Sequence, residues 1–469
     1  MSARSLTVRE VQAGPEQLLV LAATQPDLFP VLFDSAAAGP LGRFTILAAL
    51  PGEALLSYGD GRVELRGTRL PDGDFLEALD QWWQHECGAE HELSLPFRGG
   101  WVVYLGYELA ARIEPGLRLP ALPAAQICAM ALRVPAALVY DHAAGRCWLV
   151  DDGSAVAAGE RIGSAVAAIG AHAAIGAPGN PNAVFEQEPA RFRDAVLRAQ
   201  EYIGQGDIYQ ANLSRGWRVQ AGSAPAADAL YRSLRQANPA PFAALAALPD
   251  MSVLSSSPER LVSVRGGRIE TRPIAGTRAR RGGAESDGSE TRELLANPKE
   301  RAEHVMLLDL ERNDLGRICR AGSVEVSEFM VTESYPHLHH IVSNVRGQLR
   351  RDVTPAATLR AVFPGGTITG CPKYRCMQLI GELEGEPRGA YTGSLGYLNR
   401  NGDMDFNILI RTATLRGTRL EFRTGAGIVA DSDWRRELAE TRAKAQGMLR
   451  AFGAAAGPAA DAAPWADTP

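Results

Sequence analysis

The sequence is short of three things, and each shortage closes off a class of protein. Six cysteines, Cys87, Cys128, Cys147, Cys319, Cys371 and Cys376, are scattered over 469 residues with no CxxC pair. Neither a disulfide framework nor a zinc site is therefore expected, and a reducing cytoplasm fits. No uncharged apolar run reaches the ~18 residues that a membrane helix needs, and the first residues, MSARSLTVREVQAG, lack the apolar core of a signal sequence. A membrane partner is not expected. Surplus charge is missing too: 49 Lys and Arg against 54 Asp and Glu leave −5, which disfavours a nucleic-acid partner.

What is present is a globular composition, 46% hydrophobic and 22% charged. The length is about three times the usual ~150 residues per domain, and a large mixed sheet fold absorbs that as one catalytic unit. Residues 1–175 read as strands with turn punctuation: FPVLFDSAAAG, GRFTILAALPG, then a helical FLEALDQWWQHE, then RGGWVVYLGYEL, whose glycines imply close backbone approach. ALVYDHAAGRCWLVDD reads as a hairpin. The Ala-, Gly- and Pro-rich stretch Ala165 to Ala183 is expected to connect this half to residues 185–452.

In that second half strands and helices alternate. PARFRDAVLRAQEYIG has apolar residues at helical spacing, with Gly204 and Gly206 ending the helix before the strand IYQANLSRGWRV. A helix over RELLANPKERAEHVMLLDLERNDLGRIC, a strand pair around EVSEFMVTES, a strand HIVSNVRGQL and a helix KYRCMQLIGELE follow. MDFNILIRTATL and LEFRTGAGIVA read as strands, DWRRELAETRAKAQGMLRAF as the last helix, and residues 453–469 as a disordered tail.

Four groups of residues carry chemistry. SSSPER, a short hairpin and PIAGTR bring the turn carboxylate Glu259 near the polar pair Gly276 and Thr277, as at the rim of an active site. Two helices each hold carboxylates three residues apart, Glu300 with Glu303 and Glu437 with Glu440, on one face each. Were the helices to face each other, these hard oxygens would suit Mg²⁺; the same spacing is common on solvated helix faces. GGTITGCPK, with Gly365, Gly366, Thr367, Gly370 and Lys373 opening a helix, and TGAGIVADSD, with Gly425 and Gly427, offer backbone amides to an anion, though each also reads as a turn. Of eight histidines, four group as His304, His337, His339 and His340; neutral, backbone-satisfied rings are the plainer reading.

Together and in this order, GDIYQANLSR, SSPERL, RPIAGTR, KERAEHVMLLDLERNDLGRIC, FPGGTITGCPKYRCMQLIGELE, GSLGYL, DFNILIRT and GAGIVADSDWRRELAETRAKA resemble the chorismate-utilising enzymes. That resemblance implies a large α+β fold of two packed antiparallel sheets with helices outside. It implies chorismate as substrate, Mg²⁺ as cofactor held by Glu303 and Glu440 with Glu300 and Glu437 in support, and Glu259 as general acid. Tyr391, Arg411, Gly425 and Gly427 would hold the enolpyruvyl carboxylate, and His340, Thr277, Thr367 and Lys444 would complete the pocket.

Within the family, Gln210 stands where water-adding members carry a lysine, so ammonia is the expected nucleophile. It would be delivered by a glutamine amidotransferase subunit, since no glutaminase motif is visible. The glycine loops resemble aminodeoxychorismate-forming members, whereas Ala275, in place of a ring-attacking lysine, resembles anthranilate-forming ones; the motifs as a whole lean towards the former. A catalytically silent chorismate-binding paralogue is the reading from another class. LFDS followed by GRFTI resembles the N-terminal half of these enzymes, with Ser35 at a possible tryptophan pocket.

Overall fold

The computed structural model describes residues 6–37, 39, 41–70, 73–88, 94–169, 181–279, 298–334 and 338–454. His337, the stretch 292–297 of the expected long helix and most of the expected tail lie outside them, as do the side chains of Thr277, Glu300, His339 and His340.

Two twelve-stranded antiparallel sheets form the frame. The first runs Thr7–Val11, Arg146–Asp151, Ala136–Asp141, Phe44–Ala49, Val31–Asp34, Phe242–Ala247, Ser252–Ser257, Thr412–Arg416, Arg419–Ile428, Gln210–Ala221 and Pro181–Glu186, with Gly370–Cys371 beside Gln210–Ala221. The second runs Ile274–Ala279, Leu338–Gln348, Arg268–Arg272, Arg260–Arg265, Met404–Asn407, Ser394–Asn399, Gly100–Leu105, Ile127–Val134, Ala54–Tyr58, Val63–Leu65 and Thr68–Arg69, with Glu325–Ser334 also on Leu338–Gln348. Each sheet draws strands from both sides of residue 175.

The alternation of a strand sorts its side chains between two cores. In Gly100–Leu105, Val102 and Tyr104 join the apolar layer between the sheets, while Trp101, Val103 and Leu105 face a helical layer. That layer includes Phe75–Glu86, whose start is capped by Asp74 accepting from the Glu77 amide at 2.9 Å. The first sheet is covered on its outer face by Pro15–Thr24, Ala158–Ala168, Ala227–Ala237 and Trp434–Ala451. No helix among the described residues is long and apolar enough to cross a membrane.

The α+β sandwich is as expected; several local readings are not. The Ala-rich connection begins as helix, Ala158–Ala168, and ends as strand, Pro181–Glu186. EVSEFMVTES is one bulged strand rather than a pair. MDFNILIRTATL is not one strand: it breaks after Asn407, and Arg411 takes a left-handed φ of 50° before Thr412–Arg416 begins. The glycines of RGGWV behave as expected, because a Cβ on Gly100 would lie 2.0 Å from the Leu398 carbonyl.

Trp101 is fully buried, packs edge-to-face on Trp82 at 5.6 Å and leaves its indole N–H without a partner. Trp101→Ala is expected to cost about 3–5 kcal/mol in urea unfolding. Trp101→Phe, which also removes the orphaned donor, is expected to cost less than half as much.

Candidate active site

The chain crosses between the sheets twice at one place. After Ser257 it leaves the first sheet and enters the second at Arg260; after Asn407 it leaves the second and re-enters the first at Thr412. The crossings bond to each other: the Ile408 amide donates to the Glu259 carbonyl at 3.0 Å, the Ser256 amide to the Arg411 carbonyl at 3.1 Å, and the Ser257 hydroxyl to the Ile408 carbonyl at 2.5 Å. Glu259 and Arg411 are thereby fixed as neighbours.

Glu259 is 5% exposed, and burial pushes its carboxyl up to about 7. The Thr367 hydroxyl, the Ile274 amide and Arg411 pull the other way, while the carboxyl of Glu311 pushes it further up. Thr367 sits near without hydrogen-bond geometry: its hydroxyl and Glu259 Oε1 are both buried without a partner. Burial lowers the pKa of Arg411, with Glu259 as the opposing influence, and no described residue forms an ion pair with its guanidinium. The result is a buried carboxyl that is about half protonated near neutrality, beside a guanidinium with no ion-pair partner among the described residues.

Tyr391 stands on the loop after the Lys373–Glu384 helix and lines a cavity with Arg388, Thr412 and Arg423. Its hydroxyl faces the Asn212 side chain, and a Cβ on Gly425 would come within 2.5 Å of it. Below the loop Arg388 is bound on every side: to Glu384 at 2.6 and 3.0 Å, to the Asn212 carbonyl at 2.6 Å and to the Ile368 carbonyl at 3.2 Å. Burial alone would raise the pKa of Glu384; Arg388 and Arg423 outweigh it and hold it below the usual range.

Gly425 and Gly427 belong to the strand Arg419–Ile428, as the strand reading of LEFRTGAGIVA expects, and not to a turn. Beyond Phe422 this strand is paired only with Gln210–Ala221. Lys444 donates to the Gly425 carbonyl at 2.9 Å from the uncovered edge. Since the N–H and C=O of a strand residue point the same way, and alternate residues repeat it, the amides of Gly425 and Gly427 open onto that edge.

Two carboxylates converge on these glycines. Glu303 accepts from the Gln210 side chain at 2.7 Å and lies 3.5 Å from a Cβ placed on Gly427. Glu440 pairs with Lys444 at 2.7 Å. Glu437 begins the same helix, Trp434–Ala451. No group of three or more His, Cys, Asp or Glu converges among the described residues. An octahedral Mg²⁺ needs only one or two protein carboxylates, the rest being water and substrate, so the oxygen donors present fit it in kind.

Other expectations fall elsewhere. Thr277 and His340 are register partners across neighbouring strands, with Gly276 at the irregularity in that pairing. His304 bonds Ser343 at 2.5 Å, and burial lowers its pKa to about 4, so it is the neutral core histidine of the plainer reading. Lys373, expected at an anion loop, is committed to Asp314, and the Gly366 amide serves Glu311. Ser35 lines a separate cavity of 590 Å³ with Asp34, Arg43, Pro241, Arg260 and Tyr397. Sequence reasoning missed Asn212, Glu384, Arg388 and Glu108, since nothing local marks Arg388 or its partners as buried.

A family model described as chorismate binding enzyme matches residues 48–450. The chain is 40% identical over 439 residues to aminodeoxychorismate synthase component 1 of Bacillus subtilis (strain 168), covering 90% of this chain and 91% of that one. It is 37% identical over 445 residues to anthranilate synthase component 1 1 of Haloarcula marismortui, covering 89% of each. The solved anthranilate synthase component I from Streptococcus pneumoniae TIGR4 superposes with a TM-score of 0.79 at 32% identity, covering 88% of this chain and 93% of that one.

A carboxyl whose folded pKa is raised stabilises fully below the unfolded value of 4.5, and that stability fades as pH rises through about 7. Glu259→Gln removes this dependence. The stability of the variant relative to the parent, from urea unfolding, is expected to be flat below pH 4.5 and to grow by about 2–3 kcal/mol by pH 8.

Proposed function

Because the chain belongs to the chorismate-binding enzyme family, we propose that it is the chorismate-aminating component of an aminodeoxychorismate synthase. The reaction exchanges the C4 hydroxyl of chorismate for an amino group and releases water, with ammonia drawn from a glutamine amidotransferase subunit in the cytoplasm. The observation that carries this reading is the guanidinium of Arg411, which no described residue ion-pairs, beside Glu259, whose carboxyl burial pushes up to about 7. A partly buried cation that no described residue ion-pairs calls for an anion, and chorismate brings two carboxylates.

In this reading Arg411, Tyr391 and the amides of Gly425 and Gly427 receive the enolpyruvyl carboxylate, a fork and open backbone donors being suited to it. Glu259 then donates its proton to the departing C4 oxygen, which leaves as water, and ammonia gives up a proton as the amine forms. Thr367, with an unsatisfied hydroxyl beside Glu259, helps to orient the leaving group. Lys444 holds Gly425 and Glu440 in place, and the family resemblance assigns His340 and Thr277 to the pocket. Glu303 and Glu440, with Glu300 and Glu437 in support, would hold Mg²⁺, which supplies positive charge for the ring carboxylate. Gln210, bonded to Glu303, has no basic group with which to activate water. The cavity around Ser35 is the natural place for a tryptophan-sized effector.

Anthranilate formation is the second reading, favoured by Ala275 where a lysine would attack the ring. Incubation with chorismate, Mg²⁺ and ammonium separates them. The expected product yields 4-aminobenzoate only after addition of a lyase acting on aminodeoxychorismate; anthranilate with pyruvate and no lyase would give the second reading, and no turnover a silent paralogue. Chelation is expected to abolish turnover and Mg²⁺ to restore it. Glu259→Gln is expected to lower kcat at least ~100-fold, and Gly425→Ala, which displaces Tyr391, to raise KM for chorismate about tenfold.

A further inference from the structure

Glu108 belongs to the N-terminal half and to none of the steps above, yet it is 9% exposed and aimed at the loop that carries Tyr391. It follows the Gly100–Leu105 strand in a short turn, Tyr107–Leu109. Its Oε1 accepts from the Arg388 amide at 2.6 Å and the Gly389 amide at 3.2 Å, and Oε2 accepts from the Gly389 amide at 3.1 Å. The Tyr107 amide completes the junction by donating to the Gly389 carbonyl at 2.8 Å. Two successive amides pointing at one spot form a small cradle, and here a side-chain carboxyl fills it; burial pushes that carboxyl up to about 7 while the two amides pull the other way.

The loop needs such an anchor. Gly389 and Thr392 both have left-handed φ, of 60° and 62°, and threonine, unlike glycine, takes that conformation only under strain. Between them stands Tyr391, whose amide donates to the Arg388 carbonyl at 3.1 Å and whose ring lies 5.5 Å from the Arg388 guanidinium. The guanidinium also sits 4.9 Å from the Tyr107 ring. The ring of Tyr391 has little room to adjust, given how close its hydroxyl stands to Gly425.

We infer that Glu108 is a positioning residue for substrate: by seating the amides of Arg388 and Gly389 it sets where the Tyr391 hydroxyl meets the chorismate carboxylate. The inference rests on the proposed role of Tyr391, and its test has two independent arms. Chorismate disappearance is followed, so the result does not depend on which product forms. Glu108→Ala is expected to raise KM about tenfold with kcat changed less than ~3-fold, and Glu108→Gln, which keeps Oε1 as acceptor, to stay within ~3-fold of the parent. In a Tyr391→Phe background the effect of Glu108→Ala is expected to shrink below ~3-fold.

The second arm is hydrogen exchange over residues 387–393, expected to quicken about tenfold in Glu108→Ala and not in Glu108→Gln. An unchanged KM, or a KM effect of full size in the Tyr391→Phe background, overturns the inference. So does unchanged exchange, which decides the matter even if the parent protein consumes no chorismate and the proposed function falls. Should Glu108→Ala fail to fold, Glu108→Asp, with its carboxylate withdrawn by one methylene, is expected to give the same KM rise at reduced size, and an unchanged KM there overturns the inference equally.

Discussion

The paired crossings between the sheets govern the rest of the molecule. A chain that leaves a sheet strips its backbone of partners in the dry space between layers, where unpaired amides and carbonyls are costly. Here two departures side by side supply each other's hydrogen bonds. Backbone polarity is thereby satisfied without solvent, and the side chains of Glu259 and Arg411 are left facing the cleft. The same burial that makes the arrangement necessary raises the pKa of the carboxyl and lowers that of the guanidinium. Frame and chemistry have one cause.

A second fixed point lies below the cleft. Glu384 is 6% exposed and bound by Arg388, Arg423 and both donors of Ser214. Burying an ion pair gains little over well-packed apolar side chains, so its presence is better understood as a device for geometry than for stability. It ties the Lys373–Glu384 helix to both long strands at the site, and Arg388 extends the tie to the Ile368 carbonyl and the Tyr391 loop.

Much of this was legible from residue patterns, and the gaps have physical reasons. FLEALDQWWQHE reads as a helix because its leucines and Trp82 recur on one face, and the structure has it at Phe75–Glu86. The break inside MDFNILIRTATL escaped notice because NILI continues an apolar run and no glycine or proline marks the turn; Arg411 takes the left-handed conformation unaided. Gly425 and Gly427 fall in a stretch that reads as a strand, and what the pattern does not show is that their lack of a side chain makes room for Tyr391 and Gln210. Local sequence carries propensity and period, not the identity of a neighbour distant in the chain. For that reason Glu259 and the glycines stood out, and Asn212, Arg388 and Glu108 did not.

The interleaving of the two sheets also bears on how the chain comes to be made. The strand Gln210–Ala221 pairs along its length with Arg419–Ile428, and the Trp434–Ala451 helix packs behind both. During synthesis the earlier strand must therefore wait, one edge bare, until nearly the whole polypeptide has left the ribosome. Such distant pairing slows folding and leaves a template for wrong partners in the meantime. A chain interrupted before Arg419–Ile428 would be left with that edge open to wrong partners and the sheet beside Gln210–Ala221 unfinished.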